Sequence, residues 1–163
     1  MVPTGERAWK AARFLAIAVP AALLAAVYVG QYGFGLYPCE MCWWQRYAHF
    51  VALGFGVLAL VARAQARVLV ALAGAAILVA GLIGAAHAGV EYGWWQGFTT
   101  CTAVAVKGAA DPLDAILNAP IVRCDQVQWE LFGVSLAGYD FLVSTATALL
   151  IFVLLRRSKG AGA

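Results

Sequence analysis

At 163 residues, 64% hydrophobic and 12% charged, the chain is more apolar than a soluble domain, where the apolar share is about 45–50%. That excludes a water-soluble globule, and a formal net charge of +3 is too small to imply a nucleic-acid-binding protein. The length admits several membrane spans of about 20 residues each and little besides, so a single membrane domain over residues 1–163 is expected.

The first charge-free run, residues 14–32, is rich in Ala, Leu and Val and long enough to cross about 30 Å of hydrocarbon. Arg7, Lys10 and Arg13 precede it as they would a signal peptide. Its apolar length exceeds the roughly 7–15 residues of a signal core, so a retained helix is expected. A second helix over 42–62 and a third over 68–90 are joined by a tight turn from Arg63 to Arg67. Gly74, Gly81, Gly84 and Ala88 give the third helix small residues suited to close packing. A polar stretch, residues 91–135, leads to a fourth helix over 136–155, for which Ser135 is the N-cap and which stops at Arg156 and Arg157.

Within the polar stretch, Asp111-Pro112-Leu113-Asp114 has the cap, first-position proline and acid of a helix start. Leu113, Ile116 and Leu117 share one face, so a short amphipathic helix ended by Pro120 is expected to lie on the membrane surface. The fold class is an all-α membrane protein, a four-helix transmembrane bundle with a short amphipathic helix in its outer loop.

Lys and Arg concentrate in cytoplasmic loops, and here Arg7, Lys10, Arg13, Arg63, Arg67, Arg156, Arg157 and Lys159 fall on one side of four crossings. Only Arg46, Lys107 and Arg123 are left for the other, so both termini are expected to be cytoplasmic. Glu40, Glu91, Asp111, Asp114, Asp125, Glu130 and Asp140 fall on the outer side.

Cys39, Cys42, Cys101 and Cys124 all land there too. An even number of cysteines on a non-cytosolic face reads as two pairs, and three pairings are open. Cys39-Glu40-Met41-Cys42 can close on itself, and a C-x-x-C at a helix start is a redox arrangement because the helix N-terminus stabilises thiolate. Pro38 suits the first turn that follows. Inert staples and a zinc site compete with that reading. A ring as small as C-x-x-C removes little chain entropy, and His49 and His87 lie in or beside apolar helices rather than at finger-like spacing.

Arg46 stands four residues after Cys42, on the same helix face, where its guanidinium could stabilise a Cys42 thiolate or an anionic ligand. The competing reading is an arginine that snorkels to the headgroups. Trp43, Trp44, Trp94 and Trp95 read as an interfacial aromatic belt, and His49 as a packed residue without a catalytic role.

Pro38-Cys39-Glu40-Met41-Cys42-Trp43-Trp44-Gln45-Arg46 resembles the P-C-x-x-C-x-x-[QE]-R signature of the DsbB disulfide-forming proteins. His87-Ala88-Gly89-Val90-Glu91, the loop cysteine pair, and Cys124-Asp125-Gln126-Val127-Gln128-Trp129 leading into Phe132-Gly133 extend the resemblance over nearly the whole chain. It implies a multi-pass protein of the bacterial inner membrane with periplasmic redox cysteines, embedded in lipid and bound to ubiquinone or menaquinone. The implied partner is a soluble periplasmic thioredoxin-fold protein of the DsbA type, with no nucleic acid involved.

Carried residue by residue, the resemblance implies that the reduced partner attacks Cys101, releasing Cys124, which attacks Cys39 and leaves Cys42 as a thiolate beside the quinone. Arg46 would stabilise that thiolate and the quinone, so the implied catalytic residues are Cys39, Cys42, Cys101 and Cys124 and the implied quinone-binding residues Cys42 and Arg46. A strongly oxidising partner near about −120 mV needs a still better terminal acceptor, which a quinone supplies. Asp140, at the start of the fourth helix, is expected to be an interfacial polar residue. Two other classes remain to be separated: a quinone reductase resembling vitamin K epoxide reductase, whose redox pair lies late in its bundle, and a non-enzymatic membrane protein with structural disulfides.

Overall fold

The computed structural model describes residues 5–97, 102–103 and 121–158, the short strands at 102–103 and 121 by their backbone. Cys101, Lys107 and the amphipathic segment expected from Asp111 to Pro120 lie outside the described residues. Four long helices dominate: α1 (Gly5–Gly33), α2 (Glu40–Val61), α3 (Ala66–Glu91) and α4 (Leu136–Arg157). A 3-10 turn, Arg63–Gln65, joins α2 to α3 where the tight turn was expected. Two small antiparallel ribbons lie between α3 and α4: β1 (Thr102–Ala103) with β2 (Ile121–Val122), and β3 (Glu130–Leu131) with β4 (Val134–Ser135).

Helix α1 begins well before the apolar run, so Arg7, Lys10 and Arg13 are helical and Glu6 pairs with Lys10 at 2.7 Å. Ser135 caps α4 as expected, its hydroxyl accepting the Gly138 N–H at 3.1 Å. At the other end of the bundle an Arg67 guanidinium N–H bonds the Leu155 carbonyl, placing a cation on the negative end of α4.

Around the bundle, α1 packs on α2 and α4, and α3 packs on the same two, so α2 and α4 face each other across the diagonal. The core is built from small side chains: Ala8, Ala12 and Ala16 run along α1 at every fourth position and meet Ala52, Ala59, Ala73, Ile77, Ala148 and Ile151. Apolar side chains gain nothing by leaving lipid for one another, so close backbone approach and packing must hold such helices together. At Gly84 that approach is extreme, since a Cβ there would lie 2.9 Å from the Ala137 carbonyl oxygen and the Phe141 nitrogen.

Val57, Leu60, Val61, Val68, Leu82, Leu142, Leu149 and Leu150 point outward, so the bundle is apolar outside as well as inside, as a membrane protein requires. Three segments, Gly5–Gly33, Arg63–Glu91 and Leu136–Arg157, are long and apolar enough to cross a membrane. Helix α2 has the length, 22 residues, but its first half carries Gln45, Arg46 and His49.

The structure corrects the reading of Asp140. Its side chain is only 12% exposed, Oδ1 lies 2.8 Å from His49 Nε2, and the Ser144 hydroxyl donates to the same oxygen at 2.9 Å. A polar pair spanning the diagonal fixes the register of α2 against α4 where few other contacts join them. A double-mutant cycle on His49→Leu and Asp140→Leu, read by thermal unfolding in detergent, is expected to give a coupling on the order of 1 kcal/mol. A coupling near zero would mean that the two side chains act independently.

Candidate redox site

The chain leaves α1 at Gly33 and enters α2 through extended backbone at Cys39, with φ −76° and ψ 177°. Cys39 is the N-cap: its sulfur accepts the Cys42 N–H at 3.3 Å, a role usually taken by a side-chain oxygen. One turn later the Cys42 sulfur stands 2.8 Å from that of Cys39. Both therefore sit at the positive end of α2, where negative charge on sulfur is favoured.

The third described cysteine arrives from the outer loop. Cys124 is buried with Cys39, Met41, Val90 and Val122, and its thiol is within hydrogen-bonding reach of Cys39. Val122 pairs with Thr102 across the β1–β2 ribbon, and an Arg123–Asp125 fork, with bonds of 2.8 and 2.5 Å, stiffens the turn that follows. The Arg123 guanidinium holds the Asp125 carboxyl below its usual range. At Cys39 the neighbouring Cys124 thiol acts to lower the pKa, but the bond to Cys42 and burial outweigh it and push the thiol up to about 12.

Helix α3 closes the site from the other side. His87 Nε2 is 3.5 Å from the Cys39 sulfur and 3.7 Å from Glu91 Oε1, while Nδ1 is 2.9 Å from the Gln45 amide nitrogen. Behind them the Trp95 indole packs against α3 along its Nε1–Cζ2 edge and donates to the Ala86 carbonyl at 3.0 Å. Only glycine fits beneath it at position 89, since a Cβ would come within 2.0 Å of the ring. The Tyr92 hydroxyl donates to the Gly133 carbonyl at 3.1 Å and accepts the Ser135 N–H at 2.8 Å, tying the end of α3 to the start of α4.

Arg46 lies on the Cys42 side of α2 but reaches α1. Its Nη1 donates to Gln31 Oε1 at 2.5 Å, and the guanidinium lies over the rings of Tyr28 and Trp43 at 4.9 and 5.1 Å. With 5% exposure it is buried rather than snorkelling, and its Nε has no hydrogen-bond partner among the described residues. Trp43 thus covers the guanidinium.

The structure therefore gathers Cys39, Cys42 and Cys124, sets Arg46 against α1, and leaves Cys101 outside the described residues. Gln45, His87, Glu91, Gln31 and Tyr28 were not assigned from sequence. Polar residues in an otherwise apolar helix were the available signal. Cys39, Cys42 and His87 offer their ligand atoms within 4.8 Å of one another, a spacing a metal ion could use. Two thiolates on one tetrahedral zinc at about 2.3 Å stand about 3.8 Å apart. The observed 2.8 Å contact instead suits two sulfurs about to bond.

A model of the family described as disulfide bond formation protein DsbB matches residues 9–154. The chain is 28% identical to disulfide bond formation protein B of Marinobacter nauticus over 170 residues, covering 88% of this chain and 90% of the relative. It is 30% identical to the protein of the same name from Aromatoleum aromaticum over 154 residues, covering 84% and 91%. Disulfide bond formation protein B 2 of Pseudomonas syringae is 29% identical over 149 residues, covering 84% and 82%. No solved structure matches the chain.

The sulfur geometry has a direct test by peptide mapping after mild oxidation. The Cys42→Ser, Cys101→Ser protein is expected to form Cys39–Cys124, and the Cys101→Ser, Cys124→Ser protein to form Cys39–Cys42. Failure of the first bond to form would separate the loop cysteine from the α2 pair.

Proposed function

The chain belongs to the DsbB family of disulfide-forming membrane proteins, and from that premise we propose that it is a four-span thiol:quinone oxidoreductase of the bacterial inner membrane. It reoxidises a periplasmic thioredoxin-fold dithiol of the DsbA type and passes the electrons to ubiquinone or menaquinone. Residues 1–163 act as one membrane domain, with α2 as the fourth span, its polar residues turned into the bundle, both termini cytoplasmic and the cysteines periplasmic. The observation that carries the reading is the meeting of Cys39, Cys42 and Cys124 at the N-terminus of α2.

The reaction balances as two thiols plus one quinone giving one disulfide plus one hydroquinone. A partner thiolate opens a Cys101–Cys124 bond by attacking Cys101, and the electron pair leaves on Cys124. Cys124 attacks Cys39 of the Cys39–Cys42 bond, so a Cys124–Cys39 bond forms and the pair moves to Cys42. The helix N-terminus favours that anion. The partner's second thiol resolves its bond to Cys101, and Cys101 then attacks Cys124 to release Cys39.

A quinone, when bound, accepts two electrons and two protons. Its fit here rests on Arg46: a buried guanidinium whose Nε lacks a partner, flanked by the rings of Tyr28 and Trp43, suits a flat ring bearing carbonyl oxygens. Arg46 and Cys42 would hold it, with Gln31 fixing the guanidinium from α1.

Two outcomes are expected. Purified protein given reduced partner and quinone should couple partner oxidation to quinone reduction, and partner oxidation independent of quinone would sink the reading. A charge-assisted hydrogen bond contributes about 1.5–3 kcal/mol, so Arg46→Gln should lower quinone-dependent turnover roughly 10- to 100-fold and Arg46→Lys less. Exchange between the partner and Cys101 should persist in both, whereas an anchoring arginine predicts equal loss of the two activities or none. Separately, Cys124→Ser should accumulate a mixed disulfide between the partner and Cys101 on a non-reducing gel, because the returning thiol is gone.

A further inference from the structure

We propose that His87 is a further catalytic residue of this relay, donating its Nε2–H to the Cys39 sulfur at the moment that sulfur is released from Cys124. The proposal rests on the relay described above and adds to it a residue that the motif cysteines and Arg46 do not include.

The argument begins with the orientation of an amide. Gln45 Nε2 lies 3.3 Å from the Met41 carbonyl oxygen as well as 2.9 Å from His87 Nδ1. A carbonyl oxygen only accepts, so it fixes that end of the side chain as the NH2 group. The second amide N–H then points at Nδ1, which must accept it, and a neutral imidazole that accepts at Nδ1 carries its proton on Nε2. Gln45 thus sets the tautomer of His87, and the Nε2–H faces the Cys39 sulfur at 3.5 Å and Glu91 Oε1 at 3.7 Å, with the Cys124 backbone as a further hydrogen-bond partner of the ring. Gln45, Cys39 and His87 are all buried, so bulk water does not compete for these bonds.

The chemistry needs such a donor. When the Cys101 thiolate attacks Cys124, a Cys101–Cys124 bond forms, the Cys124–Cys39 bond breaks, and the electron pair leaves on Cys39. A buried sulfur whose thiol is pushed up to about 12 is a poor leaving group without help. The Cys42 N–H supplies one hydrogen bond at 3.3 Å, and His87 supplies the second. No proton changes owner in this step. Cys39 would then re-form its bond to Cys42, a bound quinone supplying the two-electron acceptor, and the imidazole N–H would be left to Glu91 and the Cys124 backbone. The ionisable groups facing this site are Cys39 and Cys42 of α2, Glu91 of α3, Cys124 of the loop and Asp140 of α4.

The test needs neither quinone nor partner. In the full chain carrying Cys42→Ser, Cys101→Ser and Cys124→Ser, Cys39 is the sole thiol and its ionisation can be followed by thiolate absorbance against pH. Adding His87→Leu, which carries no donor, is expected to raise the midpoint by about one unit, a tenfold loss of thiolate at a given pH below it. Gln45→Leu is expected to raise it by less, since it frees the tautomer without removing the ring. An unchanged midpoint in a His87→Leu protein with native melting overturns the proposal. Should the variants fail to fold, nitrogen NMR of the unsubstituted protein decides. A neutral His87 protonated on Nε2 is the expected result, and protonation on Nδ1 overturns the role. Loss of quinone coupling in the unsubstituted protein would overturn the relay itself, a result distinct from either.

Discussion

The first turn of a helix presents backbone N–H groups that nothing within the helix can accept, and in apolar surroundings each unmet group costs free energy. At the start of α2 one of them is met by a sulfur atom. That single contact, Cys42 N–H to Cys39 Sγ at 3.3 Å, sets the positions of the two sulfurs relative to each other and to the helix dipole. A sulfur keeps lone pairs as thiol, thiolate or disulfide, so the cap can survive every redox state of the pair. The backbone of α2 need not move for the chemistry of its first turn to change.

From that start the buried face of α2 runs through Gln45, Arg46 and His49, and each is met by a different helix. Gln45 bonds His87 on α3, Arg46 bonds Gln31 on α1, and His49 bonds Asp140 on α4. The one long helix among the described residues that is not apolar enough to count as a span is thereby placed by directed bonds to all three others. Such bonds contribute modestly within an apolar bundle, on the order of 1 kcal/mol each, but they select one register among many that small residues would permit. Cys39 and Cys42 inherit their placement from this stripe.

The four long helices were legible from their hydrophobic runs. Such runs do not report where helices start, which is why α1 extends back to Gly5 and α2 starts with a cysteine as its cap. Ser135 was legible because capping is local chemistry within three residues. Asp140 was not, because its partner His49 lies 91 residues away and register across a bundle diagonal leaves no trace in composition. His87 presents the same difficulty across the 48 residues that separate it from Cys39. The i to i+4 spacing did place Arg46 on the Cys42 side of α2, but only packing shows that its fork turns to Gln31 and that Trp43 covers it. Local rules reached the cysteine motif, and the groups that tune it came from other helices.

Cys124 is held differently from the residues it meets. Val122, Val90 and Met41 enclose its side chain, its thiol lies within hydrogen-bonding reach of Cys39 and its backbone bonds the His87 ring, whereas the opposite face of Cys39 is set by directed bonds through His87 and Gln45. Apolar packing can part and re-form over a range of approach angles, while a hydrogen-bonded pair recovers its strength only in one geometry. In the relay proposed above, packing would suit a thiol that exchanges partners, and hydrogen bonds one that is ionised in place. The Trp95 ring over Gly89 and the Tyr92 hydroxyl between Gly133 and Ser135 fix the helix ends on which both kinds of contact rest. His87 meets both the Cys39 sulfur and the Cys124 backbone, so the position of the loop cysteine is coupled to the group that holds the cap cysteine.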